Sequence, residues 1–168
     1  MDDSHGDFGR TQRNVSATGI TTRRATLEDV EVVAPLFDAY RQFYRQAADL
    51  TLARRFILER LQRNESVVIV AESGTKAAVG FCQLYPIFCS VRAAPTFTLY
   101  DLFVAPGARG TGAGRALMVA AEAHAIGAGA VRLDLSTALD NTVAQRLYES
   151  LGWVRDDAFY VYTKALRS

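Results

Sequence analysis

The chain is poor in residues that bind metals or carry redox chemistry. It has two cysteines, Cys82 and Cys89, and two histidines, His5 and His124, in 168 residues. Two cysteines cannot build a disulfide framework, and these four residues do not follow a spacing known for zinc sites. The sequence therefore predicts neither a metal site nor a redox function.

An excess of charge of one sign is also lacking. Nineteen basic and eighteen acidic residues leave a formal net charge of +1. Proteins that bind nucleic acid or an anionic membrane usually present a basic surface, because affinity for phosphates depends on Lys and Arg. No run of eighteen apolar residues occurs, and residues 1–6 do not resemble a leader segment. We therefore predict a cytoplasmic protein without nucleic-acid or membrane partners.

The chain does have enough apolar material to build one core. Of its residues, 49% are hydrophobic and 22% are charged, a composition typical of globular proteins. Its length is close to the commonest size of a single domain. Residues 1–18 are polar and show no periodicity, so we expect a flexible arm there, followed by one domain over residues 19–168.

Hydrophobic periodicity and turn residues predict the elements of this domain. Thr26 and Asp29 have the spacing of a capping box, Pro35 is expected to kink or break the first helix, and Pro86 to end or bend its strand. An antiparallel hairpin followed by β-α-β crossovers predicts an α/β fold with a mixed sheet and helices on both faces. The predicted strands are residues 20–24, 67–71, 78–85, 96–104, 131–135 and 159–164, and the predicted helices are about residues 26–44, 50–63, 113–126 and 141–151.

The most informative stretch connects the strand ending at Val104 to the following helix. Glycine occupies positions 110, 112 and 114 of this turn. Without side chains, backbone amides can approach an anion closely, and the helix N-terminus adds N–H donors and a favourable dipole. The turn is therefore predicted to bind a diphosphate.

Three known motifs place glycines in such a turn, and their spacings differ. A P-loop needs Lys and then Ser or Thr directly after Gly112, and these are absent, which excludes NTP hydrolysis. A dinucleotide-binding motif needs a third glycine where Leu117 stands, although Asp134 lies at the distance of the ribose-binding acid. A nicotinamide dinucleotide-binding protein therefore stays an alternative. The pattern R-x-x-G-x-G is complete, with Arg109, Gly112 and Gly114.

Two further segments accompany this pattern. Leu102-Phe103-Val104-x-Pro106 precedes it, and Asn141 and Tyr148 follow at a characteristic spacing before Leu151-Gly152-Trp153. On these motifs the chain, over about residues 20–166, resembles the GNAT superfamily of acetyl-CoA-dependent N-acetyltransferases. The resemblance implies a central mixed, mostly antiparallel sheet of six to seven strands with about four flanking helices.

The resemblance also implies acetyl-CoA as co-substrate, with no metal. In the family, the strand before the glycines pairs with the pantetheine arm and presents an amide to the thioester carbonyl, and the amides of the turn hold the pyrophosphate. We expect acetyl-CoA between the strand that ends at Val104 and the strand of residues 131–135. The residues assigned to it by the resemblance are Leu102, Phe103, Val104, Arg109, Gly110, Thr111, Gly112, Ala113, Gly114, Arg115, Asn141 and Ala144.

Tyr148 matches the general acid of the family, which protonates the leaving thiolate. Asn141, Ala144 and Tyr148 stand at i, i+3 and i+7, which places them on one face of the last predicted helix. A side-chain amide and a phenol can therefore point at the same ligand. The alternative interpretation of Tyr148 is an ordinary half-buried aromatic residue.

Asp101 is the candidate base, since an alkylammonium must lose a proton before it can attack. It alternates with Phe97, Leu99 and Phe103, which predicts a carboxylate on an otherwise apolar strand face. It resembles the acid of the polyamine and histone-type branch, although Tyr100 stands where polyamine enzymes often carry Glu. A structural carboxylate satisfied by neighbouring amides is the alternative.

The acceptor site is less legible in the sequence. Tyr40, Tyr44 and Tyr85 are candidates to bind a cationic amine through cation–π contacts, although an aromatic stripe on a helix usually faces the core. The resulting hypothesis is direct acetyl transfer from acetyl-CoA to a primary amine of a small molecule or peptide in a ternary complex. A non-catalytic CoA-binding sensor or regulator with the same fold is the alternative. Family members often dimerise through their last strands, here residues 153–166, which makes a homodimer possible.

Overall fold

The computed structural model describes residues 14–15 and 19–166, so most of the predicted 1–18 arm lies outside the described residues. The described residues form six strands and four α-helices, which confirms the predicted α/β class. The strands are β1 (Asn14–Val15), β2 (Thr21–Arg24), β3 (Val67–Glu72), β4 (Ala78–Cys89), β5 (Ala94–Val104) and β6 (Leu133–Asp134), and the helices are α1 (Val30–Phe43), α2 (Leu50–Gln62), α3 (Ala113–Gly127) and α4 (Thr142–Glu149).

The six strands form one sheet in the order β1-β2-β3-β4-β5-β6. The first four neighbouring pairs are antiparallel, and β5 and β6 are parallel. Parallel neighbours need a crossover connection, which α3 supplies. The mixed, mostly antiparallel sheet predicted from the sequence is confirmed, with β1 and β6 reduced to two residues each.

Helices cover both faces of the sheet. The ring of Phe81 on β4 contacts Phe37 and Tyr40 of α1, whereas the Sγ of the next residue, Cys82, lies 3.8 Å from the carbonyl oxygen of Leu117 in α3. Successive side chains of a strand point to opposite faces, so α1 and α3 lie on opposite faces. The core on the α1 face also includes residues of α2. Its members are Ala25, Val30, Val33, Phe37, Ala53, Ile57, Val68, Val70, Phe81 and Phe103.

Strand β5 carries a bulge at Tyr100. Asp101 lies opposite Gln83 of β4, but Leu99 lies opposite Leu84, so two steps along β5 match one step along β4. The extra residue interrupts the regular alternation of side chains. Asp101 consequently shares the α1 face with Gln83, whereas Leu99 shares the α3 face with Leu84.

The expectation that Asp101 shares a strand face with Phe97 and Leu99 is therefore wrong. The ring of Phe97 contacts His124 of α3, with ring centres 5.4 Å apart. Asp101 instead shares the α1 face with Phe103, and all four residues of this group are buried. A period of two in the sequence cannot reveal the bulge, because every second residue is buried on one face or the other.

The hairpin of β4 and β5 is longer than the sequence predicts. Strand β4 continues through Pro86 to Cys89, so Pro86 does not end it. On one side Pro86 lies opposite Phe97, and on the other β3 pairs only with residues 78–84. Pro86 thus stands where β4 has become an edge, and an edge strand tolerates a residue without an N–H.

The first helix starts as the sequence predicts and continues further than Pro35 suggests. The backbone N–H of Thr26 donates to Oδ2 of Asp29 at 2.8 Å, which confirms the capping box. Asp29 also forms a bidentate ion pair with Arg23, at 2.7 and 2.8 Å. Helix α1 then runs through Pro35 without a break.

Residues 136–168 form a compact unit distinct from residues 1–135. Helix α4 is its regular element, and Asn141 caps it, with Oδ1 accepting a hydrogen bond from the N–H of Ala144 at 3.4 Å. The predicted strand over residues 159–164 is not formed, because the described residues after α4 contain no strand. A strand needs a hydrogen-bonded neighbour, and the described residues pair none with this segment.

The described part of the chain holds neither a membrane-length apolar helix nor a cluster of metal-ligating side chains. The longest helix, α3, has 15 residues, and no helix in the described part of the chain is long and apolar enough to span a membrane. Within residues 14–15 and 19–166, no three His, Cys, Asp or Glu side chains are grouped as metal ligands.

Candidate active site

A tight turn connects the end of β5 to α3. Residues Pro106–Ala108 form one 3-10 turn, and Gly110 and Gly112 follow with φ values of +79° and +88°. This left-handed backbone costs residues with a Cβ roughly 1–2 kcal/mol. A Cβ added at Gly110 would meet no heavy atom within 4 Å, so the backbone there borders open space.

Helix α3 begins directly after this turn without a side-chain cap. Its N-cap is Gly112, and the first intrahelical hydrogen bond runs from the N–H of Ala116 to the carbonyl of Gly112 at 2.9 Å. The amides of Ala113 and Gly114 precede that bond, at the end of the helix that carries partial positive charge. Uncapped amides next to open space fit an anion such as a diphosphate.

Two side chains hold the turn in place. The hydroxyl of Thr111 donates to the carbonyl of Ala108 at 2.7 Å. The Nε of Arg109 donates to the carbonyl of Val104 at 3.2 Å, and its guanidinium lies 6.0 Å from the centre of the Phe43 ring. The arginine of the R-x-x-G-x-G pattern therefore ties the turn to the end of β5.

Strand β5 has an open edge next to this turn. It pairs with β6 only at Phe97–Leu133 and Thr98–Asp134 among the described residues. From Leu99 to Val104, the backbone groups on this side have no β6 partner in the described part of the chain. An extended ligand can add to such an edge through main-chain hydrogen bonds. The structure thus leaves open the strand segment that the family resemblance assigns to the pantetheine arm.

Asp101 lies within this open segment, and its side chain is buried on the α1 face at 5% exposure. Burial raises the pKa of its carboxyl from 3.8 to about 6, because desolvation disfavours the charged form, while a hydrogen-bonding interaction with Tyr40 opposes the rise. Such a carboxylate is ionised at neutral pH and is a stronger base than an exposed one. Its properties fit a group that accepts a proton during a reaction.

Tyrosines lie beside this carboxylate. Burial and the charge of Asp101 raise the pKa of Tyr85 to about 12 and raise that of Tyr40 further, so both stay neutral. The hydroxyl of Tyr40 lies 3.4 Å from the carbonyl oxygen of Tyr100, and the rings of Tyr85 and Tyr100 are 5.7 Å apart. Tyr44 contacts the ring of Tyr40 and is half exposed. Tyr100 was not predicted as a site residue, because only the bulge shows where it lies.

Comparisons of the chain with known proteins show the family to which it belongs. The model of the acetyltransferase (GNAT) family matches residues 33–153. The protein described as "Uncharacterized N-acetyltransferase YhfO" from Bacillus subtilis (strain 168) is 45% identical over 140 residues, which cover 83% of this chain and 93% of the relative. The chain belongs to the GNAT acetyltransferase family.

Two further relatives of this acetyltransferase support the assignment. A probable acetyltransferase of Haemophilus influenzae is 36% identical over 83 residues, covering 49% of this chain and 57% of the relative. The crystal structure of a probable acetyltransferase has 38% sequence identity and a TM-score of 0.83, and it covers 88% of this chain and 98% of its own. The dinucleotide alternative does not fit this family, and Leu117, at its third glycine position, is fully buried.

The remaining predicted residues of the acetyltransferase lie in the 136–168 unit. The ring of Tyr148 lies 6.2 Å from that of Trp153. The Nδ2 of Asn141 donates to the hydroxyl of Thr137 at 3.3 Å, while its Oδ1 caps α4 through Ala144. Asn141 therefore has a structural role in starting the helix. Its part in cofactor binding and the catalytic role of Tyr148 stay predictions.

Proposed function

We propose that this acetyltransferase moves the acetyl group of acetyl-CoA to a primary amine of a small molecule or peptide. The observation that carries the proposal is the position of Asp101, a buried carboxylate with a pKa of about 6, on the strand that leads into the uncapped glycine turn. An alkylammonium with a pKa of about 10.4 needs a base before it can attack. One strand thus joins a base to a diphosphate site.

Acetyl-CoA, the acetyl donor of the family, is assigned to the open edge of β5 and to the turn. By the resemblance, Leu102, Phe103 and Val104 pair with the pantetheine arm, and the amides from Gly110 to Arg115 hold the pyrophosphate. The missing β6 partners along this edge and the open space at Gly110 support both assignments. A fixed backbone N–H at the thioester carbonyl stabilises the negative charge that builds on its oxygen during attack.

The reaction proceeds by direct attack of the amine. Asp101 accepts one proton from the ammonium, the nitrogen forms a bond to the carbonyl carbon, and the carbon–sulfur bond breaks. Tyr148, assigned by the sequence match, donates its proton to the leaving sulfur and takes up the second proton that the nitrogen releases. The products are the acetylated amine, CoA as the thiol, and one proton released when Asp101 ionises again.

Neutral aromatic rings beside a carboxylate favour a cationic acceptor. Tyr40 and Tyr85 both interact electrostatically with Asp101. An ammonium in this place gains the attraction of the carboxylate and of the ring faces. Tyr44 extends the aromatic surface from Tyr40 towards solvent.

Calorimetry with CoA and acetyl-CoA tests the turn through a matched pair of variants. Gly110→Ala and Gly129→Ala each place a Cβ on a left-handed backbone, with φ of +79° and +73°, and neither Cβ meets an atom within 4 Å. Both variants should therefore lose similar stability, roughly 1–2 kcal/mol. Only Gly110 lies in the turn, and there the methyl group occupies the space assigned to the ligand. We expect at least a tenfold loss of CoA affinity for Gly110→Ala and none for Gly129→Ala. Equal affinities would remove the turn as the cofactor site.

A panel of amines identifies the acceptor. Release of free thiol from acetyl-CoA is measured with polyamines, aminoglycosides, amino acids and histone-like peptides. We expect amine-dependent release for at least one class of primary amine. CoA binding without release for any amine would point instead to a CoA-binding regulator.

A further inference from the structure

Gln83 is a buried amide that hydrophobic packing does not explain. It lies in the middle of β4 with no exposed surface. Its Nε2 donates to the hydroxyl of Ser66, itself buried, at 2.6 Å, and its Oε1 has no hydrogen-bond partner among the described residues. An unsatisfied buried acceptor is costly, so the Oε1 marks a place where a donor is expected.

The residue directly opposite Gln83 is Asp101. Opposite residues of an antiparallel pair have their side chains on the same face, with Cβ atoms about 4.5–5.5 Å apart. Ser66 precedes β3 and Asp101 lies on β5, so the two are on opposite sides of β4. Ser66 holds the Nε2 on the β3 side, and the Oε1 is the other branch of the same planar amide, which favours the side of β5 for it.

We propose that Gln83 is a positioning residue whose Oε1 accepts a hydrogen bond from the protonated carboxyl of Asp101. A carboxylate is an acceptor only, and beside it the Oε1 stays unpaired. The protonated carboxyl has one O–H donor, which needs an acceptor, and the unpaired Oε1 can be that acceptor. This inference rests on the proposed function in one respect: the protonated carboxyl is the state that Asp101 reaches after it has taken the proton of the acceptor ammonium.

The pKa of Asp101 agrees with this arrangement. Burial alone raises the pKa of the carboxyl to about 6 against the opposing effect of Tyr40, and an acceptor that pairs only with the protonated form raises it in the same direction. The other titratable groups around Asp101 are Tyr40 of α1, Tyr100 of β5, and Cys82 and Tyr85 of β4. Burial raises the pKa values of Tyr40, Tyr85 and Cys82 well above neutrality, so these three stay uncharged while Asp101 titrates.

Titration of the Asp101 carboxyl by ¹³C NMR tests the proposal without reference to activity. The protein is labelled at the aspartate carboxyl carbons, and the resonance missing from Asp101→Asn assigns Asp101. Gln83→Met replaces the amide with an apolar side chain of similar size. It removes the acceptor, so we expect the pKa of Asp101 to fall by about half to one pH unit, the equivalent of one hydrogen bond.

Leu84→Met is the matched control, because Leu84 is the next residue of β4, is equally buried and faces α3. It should leave the pKa of Asp101 unchanged. Should Gln83→Met not fold, Ser66→Ala releases the anchored amide and is expected to shift the pKa in the same direction by a smaller amount. An Asp101 pKa that is unchanged or higher in the folded Gln83 or Ser66 variants overturns the proposal.

The pH dependence of kcat/KM then separates this proposal from the proposed function. If Asp101 is the base, the acid limb of the profile in Gln83→Met moves to lower pH by the same amount as the NMR titration, with KM for the amine unchanged. An NMR shift together with an acid limb that does not move supports the role of Gln83 and overturns the assignment of Asp101 as base.

Discussion

Two buried carboxylates of this protein have pKa values shifted in opposite directions, because only one of them has a cationic partner. Arg23 lowers the pKa of Asp29 through a bidentate ion pair, so the ionised form of Asp29 is favoured in the fold. None of the ion pairs among the described residues includes Asp101, and its pKa is raised. A buried charge without a cation costs free energy of folding. The stability of this protein is therefore lowered at the residue that we assign as its base.

Asp101→Asn is expected to stabilise the fold at alkaline pH. The pKa of Asp101 rises from 3.8 to about 6 on folding, which corresponds to roughly 3 kcal/mol. The folded protein holds this proton more tightly than the unfolded chain does. The stabilisation that the bound proton gives is therefore complete below about pH 4, and it is lost as the pH rises through about 6. Urea denaturation at pH 8 should show a higher free energy of unfolding for Asp101→Asn by up to about 3 kcal/mol, with a difference that shrinks towards pH 4. Equal stabilities at both pH values would contradict the assigned burial cost.

The same substitution is expected to abolish most of the activity. Asn cannot accept a proton, and general base catalysis commonly contributes 10²- to 10⁴-fold. We expect kcat/KM of Asp101→Asn to fall at least about 100-fold. In the wild type, kcat/KM should fall tenfold per pH unit below about pH 6, because protonated Asp101 is not a base. Asp140→Asn, an exposed aspartate, serves as the control and should keep wild-type activity.

Tyr148→Phe tests the donor to the leaving thiolate. The substitution removes one hydroxyl and retains the ring that contacts Trp153. We expect kcat to fall about 100-fold while the affinity for CoA stays within twofold, since the hydroxyl acts on the sulfur only as it leaves. Calorimetry measures the affinity and thiol release the turnover. Unchanged turnover would remove Tyr148 from the mechanism.

At the scale of elements, Gly80 of β4 lies in close contact with the backbone at the end of β5. A Cβ there would lie 2.6 Å from the backbone oxygen of Phe103 and 3.3 Å from the Cα of Val104. Both neighbours belong to the strand assigned to the pantetheine arm. The absence of a side chain at position 80 therefore sets the position of that strand end.

Gly80→Ala is expected to destabilise the protein by about 1–3 kcal/mol, because backbone atoms must move to admit the methyl group. It should also weaken acetyl-CoA binding, since the displaced atoms belong to Phe103 and Val104, which the family resemblance assigns to the pantetheine arm. Gly74→Ala in the turn between β3 and β4, where a Cβ meets nothing within 4 Å, is the matched control. Thermal unfolding and calorimetry compare the two. Equal melting temperatures for both variants would contradict the close approach.

Elements with a strong local signal could be predicted from the sequence. The bounds of α2 and α3 agree with their apolar periodicity to within one residue, and the capping box at Thr26 is present. The predictions of secondary structure are wrong where the presence or absence of a neighbouring strand decides whether a segment forms a strand. Pro86 is tolerated because the pairing of β4 with β3 does not extend beyond Leu84. The strand over residues 159–164 is missing because no described residue pairs with it.

The candidate site divides in the same way. The glycine turn was predictable, because the two left-handed glycines and the start of α3 lie within a few residues of one another in the sequence. The burial of Asp101 was also predictable, but its face was not, because the bulge at Tyr100 depends on register with β4. Gln83 gave no signal in the sequence, since a single glutamine in an apolar strand is informative only once its unpaired oxygen is known.

At the scale of the whole molecule, the segment after α4 exposes several large apolar side chains. Within residues 159–166, five apolar residues are between 80% and 92% exposed: Phe159, Tyr160, Val161, Tyr162 and Leu166. Surfaces of this kind are typical of interaction sites. The same segment carries the strand pattern that finds no partner among the described residues.

We propose that residues 159–164 of one copy pair as a strand with a second copy of the chain. Size-exclusion chromatography with light scattering should then give about twice the 18.4 kDa mass of the chain. Val161→Pro removes an N–H from the predicted strand and is expected to weaken the dimer. Leu139→Pro makes the same change at a comparably exposed position, 96% against 92%, outside residues 153–166 and should not weaken the dimer. A wild-type chain that is monomeric at every concentration would contradict the proposal.

The bulge at Tyr100 has a consequence for how this enzyme could acquire new acceptors. Tyr100 is the extra residue of the bulge. If it were absent, β5 would be a regular strand, and all its remaining side chains would lie on the same faces as they do now. Tyr100 is 69% exposed, and its ring lies beside Tyr85. Substitutions at this position therefore change the surface beside Tyr85, a residue of the proposed acceptor site, and remove no buried side chain. Selection can vary residue 100 at little cost to folding, which makes it a place where acceptor preference can evolve in single steps.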